Sequence, residues 1–139
     1  MAVPVVVLQQ IKAPAGKVFG FIANLELHPR IARFCESVHY TSERRESVGT
    51  TFHQVQKSGR ECDSEITVWE PPARIVWQNF YKGSRKPTQV VTYLLEKEGG
   101  ITHLLHIVES EAYENLALHR EGTADNVEEM RRIKKILEG

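Results

Sequence analysis

Glycine- and proline-bearing turn signals recur at roughly ten-residue intervals through the middle of this chain, and this punctuation constrains its fold more than any other feature. Arg44-Arg45-Glu46, Ser58-Gly59, Pro71-Pro72, Gly83-Ser84 and Gly99-Gly100 separate short runs at about 37–42, 49–57, 60–70, 74–81, 88–97 and 101–110. Runs of that length divided by short turns predict consecutive antiparallel strands, because connections of two to six residues cannot carry a parallel crossover. Within the series, Trp69-Glu70-Pro71-Pro72-Ala73-Arg74 forms a rigid turn between two strands that carry aromatic residues. A curved meander of this kind wraps a space.

The flanks supply its cover. Residues 3–11 are rich in β-branched side chains and predict a first strand. Ala13-Pro14-Ala15 ends it and opens a short helix with Val18, Phe19, Phe21 and Ile22 on its apolar face, and a second short helix is expected over 25–34. Residues 113–137 read as one long helix with Ala124, Val127, Met130, Ile133 and Leu137 near one stripe and Gly122 as a point of interruption or bending. The run from Glu128-Glu129 to Lys134-Lys135 is assigned to its solvated back. A sheet of six or seven strands needs one face covered, and only this helix is long enough to cover it. The expectation is an α+β chain with one domain across residues 1–139.

Eighteen Lys and Arg balance eighteen Asp and Glu, so no net field favours nucleic acid or an anionic lipid surface. The start of the chain has no basic segment ahead of an apolar run, and no stretch approaches the roughly 20 apolar residues of a membrane span. A cytoplasmic protein without stable membrane insertion is expected. Cys35 and Cys62 lack any metal-ligand spacing and are expected as reduced thiols.

Ile11-Lys12-Ala13-Pro14-Ala15-Gly16-Lys17-Val18-Phe19, Gly49-Thr50-Thr51-Phe52, Trp69 to Arg74 and Gly99-Gly100-Ile101-Thr102, in this order of elements, resemble the START/SRPBCC superfamily, especially its polyketide cyclase/dehydrase and lipid-transport branch. The likeness runs over nearly the whole chain. It implies a helix-grip fold: a seven-stranded curved antiparallel sheet wrapped around a long C-terminal helix, with two short helices after strand one and an apolar pocket between sheet and helix. It also implies a small hydrophobic or amphipathic ligand, bound or carried; the alternative is a cofactor-independent cyclase or dehydratase. Homodimer formation is left open, and no cofactor is expected.

Alternation assigns faces within that frame. Phe52 is expected inward and takes Gln54 and Gln56 with it. Ile75, Trp77 and Asn79 share a face, as do Val91, Tyr93 and Leu95. On the strand between, Asp63, Glu65, Thr67 and Trp69 share one face and Ser64, Ile66 and Val68 the other. The resemblance selects the first set as inward, since a cavity glutamate in the superfamily's plant hormone receptors precedes the post-turn arginine by the separation of Glu65 and Arg74. The inward lysine of those receptors has no counterpart here, which weighs against a hormone-receptor role. The expected ligand contacts are therefore Phe52, Gln54, Glu65, Thr67, Trp69, Trp77, Asn79 and Tyr93.

Candidates for acid/base chemistry are Glu65, His106 and Tyr93, because a buried carboxyl or imidazole titrates near neutral pH. His103 and His106 stand three apart on a strand, which sends them to opposite faces and prevents joint chelation of a metal. Which of the two faces inward is left open. His53 is expected outward beside Phe52, and no metal site is expected. No glycine-rich phosphate loop or serine nucleophile elbow is present.

Overall fold

The computed structural model describes residues 2–139. Strand β1 (Val5–Ile11) leads into helix α1 (Ala15–Ile22) and a 3₁₀ segment (Leu25–Arg30). The meander follows as β2 (Cys35–Tyr40), β3 (Thr51–Gln56), β4 (Glu61–Glu70), β5 (Arg74–Tyr81), β6 (Gln89–Glu98) and β7 (Ile101–Glu109). A second 3₁₀ turn (Glu111–Glu114) precedes helix α2 (Leu116–Glu138). The seven strands form one antiparallel sheet in the order β1-β7-β6-β5-β4-β3-β2, curled into a half-barrel around α2. The helix-grip architecture expected from the sequence is the one found.

Local chemistry accounts for the boundaries. Pro14 is extended at the N-cap of α1, and Ala15, Val18, Phe19 and Ile22 form its buried face. The next segment closes at Arg30 rather than 34, because the residue before Pro29 is disfavoured in the α region and the chain takes a short 3₁₀ turn instead. Helix α2 starts at 116 rather than 113, where the Asn115 side chain accepts from the Leu118 N–H. Gly122 does not interrupt it. Between β3 and β4, Gly59 occupies φ +89°, which glycine supplies without a Cβ clash.

The apolar core lies between the concave sheet face and the helices, with Val5, Ile11, Ile66, Ile75, Leu104, Met130 and Ile133 excluded from solvent. Helix α2 is tied to β1 and to the residues that flank it. His119 Nε2 lies 3.1 Å from the Pro4 carbonyl, Lys134 Nζ donates to the Gln10 carbonyl at 2.8 Å, and the Lys12 N–H donates to Glu138 at 2.8 Å. No helix of the described residues is long and apolar enough to cross a membrane.

The inward stripe of α2 departs from expectation in its first half. Val127 is 39 % exposed and Ala124 is exposed, whereas Asn126 and Glu129 are buried with Met130, Ile133 and Leu137. Stepping back from Ile133 and Met130 by four residues gives 129 and 126, so the helical period itself places these two polar residues inside. Glu129 therefore does not belong to the solvated back.

Strand β4 carries the second departure. Its pairing with β5 shifts between Ile66 and Val68, leaving Thr67 as the extra residue of a bulge. Ser64 and Ile66 point to the core, and after the bulge Trp69 does too, opposite Ile75. Strict alternation cannot hold Glu65 and Trp69 on one face across that bulge. Glu65 is exposed on the convex side.

Candidate functional site

A cavity of about 340 Å³ lies between the concave face of the sheet and the first half of α2. Strands β3 to β7 form its wall, and residues between Ala112 and Asp125 border its mouth. Tyr81, Gln89, Tyr113 and Leu118 stand at the mouth, while His28, Trp77, His106 and Glu129 line its inner end.

One wall is a polar relay across three strands. Gln54 Nε2 donates to Ser64 Oγ at 3.0 Å and to Asn79 Oδ1 at 3.1 Å; Ser64 Oγ donates to the same Asn79 oxygen at 2.6 Å. Asn79 Nδ2 continues to Gln89 Oε1 at 3.0 Å. Nearer the mouth, Gln56 Nε2 donates to Tyr81 Oη at 2.7 Å. These groups satisfy one another, which removes most of the cost of about 1 to 3 kcal/mol that each unpaired buried polar group carries.

The inner end is different. Tyr93 Oη donates to Glu129 Oε2 at 2.5 Å, and the Tyr93 and His106 rings stack at 4.4 Å with an interplanar angle of 8°. His106 Nδ1 stands 3.5 Å from Glu129 Oε2 without forming a hydrogen bond. His28 Nε2 lies 4.0 Å from Glu129 Oε1, and the His28 ring meets Trp77 edge-on at 6.2 Å. Two buried polar atoms among the described residues have no partner: Trp77 Nε1 and His106 Nδ1.

Burial governs the protonation of this group. Loss of hydration raises the Glu129 carboxyl to about 7, with the Tyr93 hydrogen bond opposing and the Asp125 charge adding. It lowers His28 to about 4 and His106 to about 3, so both imidazoles are neutral near pH 7 and neither forms a true ion pair with Glu129. Tyr93 is held well above its ordinary value by burial and then by the neighbouring carboxylate. Burial also pushes Cys35 up to about 11 and raises Cys62, and both are free thiols.

The residues singled out by alternation fall into three places. Gln54, Trp77 and Asn79 line the cavity, and Tyr93 reaches its inner end through Glu129 and His106. Phe52 packs between Tyr40 and Trp77, with ring centroids at 6.4 and 6.0 Å. Trp69 lies inward but under α1, edge-on to Phe19 at 5.2 Å, in a recess separate from the cavity. Thr67, at the bulge, turns its hydroxyl to the Val76 carbonyl at 3.5 Å. Glu65 pairs across the strands with Thr51 and Gln78 and does not border the cavity.

His106 is the inward histidine, and His103 sits on the other face near Glu98 at 3.8 Å. His53 lies outward as expected, held between Asp63 at 2.8 Å and Glu61 at 2.9 Å, and these contacts raise its pKa. Sequence reasoning missed Glu129 and Asn126. The signal was present as polar residues at inward positions of an amphipathic helix.

No family model matches the chain, and no curated protein matches it. Solved structures do. A protein from Mesorhizobium loti superposes with a TM-score of 0.76 at 18% identity, covering 97% of this chain and 96% of its own. One from Deinococcus radiodurans gives 0.72 at 18% identity, covering 98% of both chains. A protein of the dynemicin biosynthetic locus gives 0.71 at 18% identity over 97% of this chain and 47% of its own. At these identities the likeness is one of fold.

Proposed function

We propose that this protein is a START/SRPBCC-type binding protein that holds or carries a small, largely apolar molecule between its sheet and α2. The observation that supports the reading most strongly is the cavity of about 340 Å³, within the size range of small-molecule sites and lined by aromatic and aliphatic side chains together with about as many polar ones. Trp77, Val91 and Val108 provide apolar contact, and Gln54 and Asn79 present a pre-arranged polar wall. The fold likeness to a protein of a biosynthetic locus is compatible with ligand binding. A carrier acting in the cytoplasm fits this picture.

Native mass spectrometry of protein purified from its own cells tests the reading. A retained mass is expected in the wild type and is expected to be lost in Ala112→Trp, a substitution at the exposed rim of the mouth. Bare protein that also fails to take up a neutral apolar dye would sink it.

One observation favours a second reading, a cofactor-independent cyclase or dehydratase. A carboxyl raised to about 7, hydrogen-bonded to Tyr93 and beside neutral His106, is suited to moving protons at a carbon next to a carbonyl. In this reading Glu129 takes the role that sequence alone gave to Glu65. Turnover of a β-hydroxy ketone that vanishes in Glu129→Gln and survives in Glu65→Gln would establish it.

A further inference from the structure

We infer that the inner end of the cavity recognises an uncharged hydroxyl group, whose oxygen accepts the Trp77 indole N–H and whose proton is donated to the Glu129 carboxylate. This inference rests on the ligand-binding reading and adds the chemistry of the ligand's buried end.

The inner end contains one unfilled donor and one incompletely used acceptor. Trp77 is 2 % exposed and its Nε1–H, which can only donate, has no partner. Glu129 is 2 % exposed; its Oε2 accepts from Tyr93, while Oε1 lies 4.0 Å from His28 Nε2, beyond hydrogen-bond reach. His106 Nδ1 adds a second unpartnered site beside the same carboxylate. All three side chains border the cavity. A group that both accepts and donates joins the Trp77 donor to the Glu129 acceptor, and a hydroxyl is the smallest that does so.

Other head groups complete less of it. A carboxylate or phosphate would accept from Trp77 but would lie against Glu129 with no cation nearby. The titratable groups around Glu129 are Tyr93 from β6, His106 from β7, His28 from the first 3₁₀ segment, Cys35 from β2 and Asp125 from α2, none of them cationic near neutral pH. Arg60, which also borders the cavity, is stacked over the Tyr81 ring at 3.8 Å near the mouth. An ammonium would suit Glu129 but would oppose the Trp77 donor with another donor. A ketone would satisfy Trp77 and leave Glu129 Oε1 without a donor.

The test uses four two-ring probes sharing one skeleton: naphthalene, 2-naphthol, 2-naphthoate and 2-naphthylmethylammonium, titrated into ¹⁵N-labelled protein at pH 8, where Glu129 is ionised. The naphthol is expected to bind about tenfold tighter than naphthalene, the gain from one well-made hydrogen bond in a buried site. Its binding should shift the Trp77 indole N–H resonance downfield and leave that of Trp69, in the separate recess, in place. Trp77→Phe should erase most of the roughly tenfold preference for naphthol over naphthalene, whatever the lost indole contact does to both. Equal affinity for naphthol and naphthalene, tightest binding by either charged probe, or a Trp77 resonance unmoved at saturation would overturn the inference and leave the ligand-binding reading standing. If none of the four binds, both fall. Should Trp77→Phe fail to fold, the wild-type resonance decides.

Discussion

The Tyr93 hydroxyl donates to Glu129 Oε2 at 2.5 Å, joining the middle of β6 to the middle of α2 across the concave face. Both residues are buried, and the bond spans the layer between sheet and helix at the inner end of the cavity. A polar strut at that point keeps the two layers in register where the packing around it is incomplete. It also fixes the carboxylate beside His106, His28 and the cavity.

Glu129 makes stability depend on pH with a definite sign. Its folded pKa of about 7 lies above the ordinary 4.5, so its contribution is fully present below about 4.5 and is lost as pH rises through 7. Glu129→Gln keeps an acceptor for Tyr93 and removes that loss. The variant should gain about 2 to 3 kcal/mol relative to wild type between pH 5 and pH 8. Urea denaturation at the two pH values measures it, and parallel curves would refute a buried carboxyl. His28 and His106 act in the opposite direction: their depressed values of about 4 and 3 give stability present above 6.5 and lost as pH falls through those values, in wild type and variant alike.

Removing Asn79 should cost more than its size suggests. Asn79→Ala leaves Gln54, Ser64 and Gln89 without a shared partner. A loss of about 2 to 3 kcal/mol is expected by chemical denaturation, and Ser64→Ala in the same background should then cost little, since the two act through one network. Additive losses would show that the relay is not a unit.

Glu65 provides the contrast. It is exposed on the convex side, so Glu65→Ala should change stability by no more than about 0.5 kcal/mol and leave probe affinity unchanged. A tenfold change in affinity would restore it to the site.

Gly122 meets Tyr113 at the mouth. A Cβ at this position would lie 3.0 Å from Tyr113 Cε1 and Oη, so the ring must yield. Gly122→Ala gains about 1 kcal/mol of helix propensity and loses a similar amount to that contact. Stability should stay within about 1 kcal/mol of wild type, while the Tyr113 ring resonances shift. A loss beyond 2 kcal/mol would mean that Tyr113 is held rigidly.

The strand count, the order of elements and most face assignments were legible because each depends on residues close together in the chain. Gly59 and the Pro71-Pro72 pair mark turns by their own backbone preferences, and Ile75, Trp77 and Asn79 share a face by simple alternation. The assignment of Glu65 failed where alternation itself fails: Thr67 adds one residue to β4, and nothing local to a Glu-Ile-Thr-Val run announces a bulge. Glu129 was misplaced because its acidity was weighed above its position in the helical period.

The sequence by itself determined the curved antiparallel sheet and its closing helix, since turn chemistry and hydrophobic periodicity act over a few residues. Which polar groups meet inside was decided only by tertiary structure. Tyr93 and Glu129 are 36 residues apart, and His28 reaches the same carboxylate from the opposite end of the chain. Their convergence, and the protonation that burial imposes on them, exist only once sheet and helix have closed on one another.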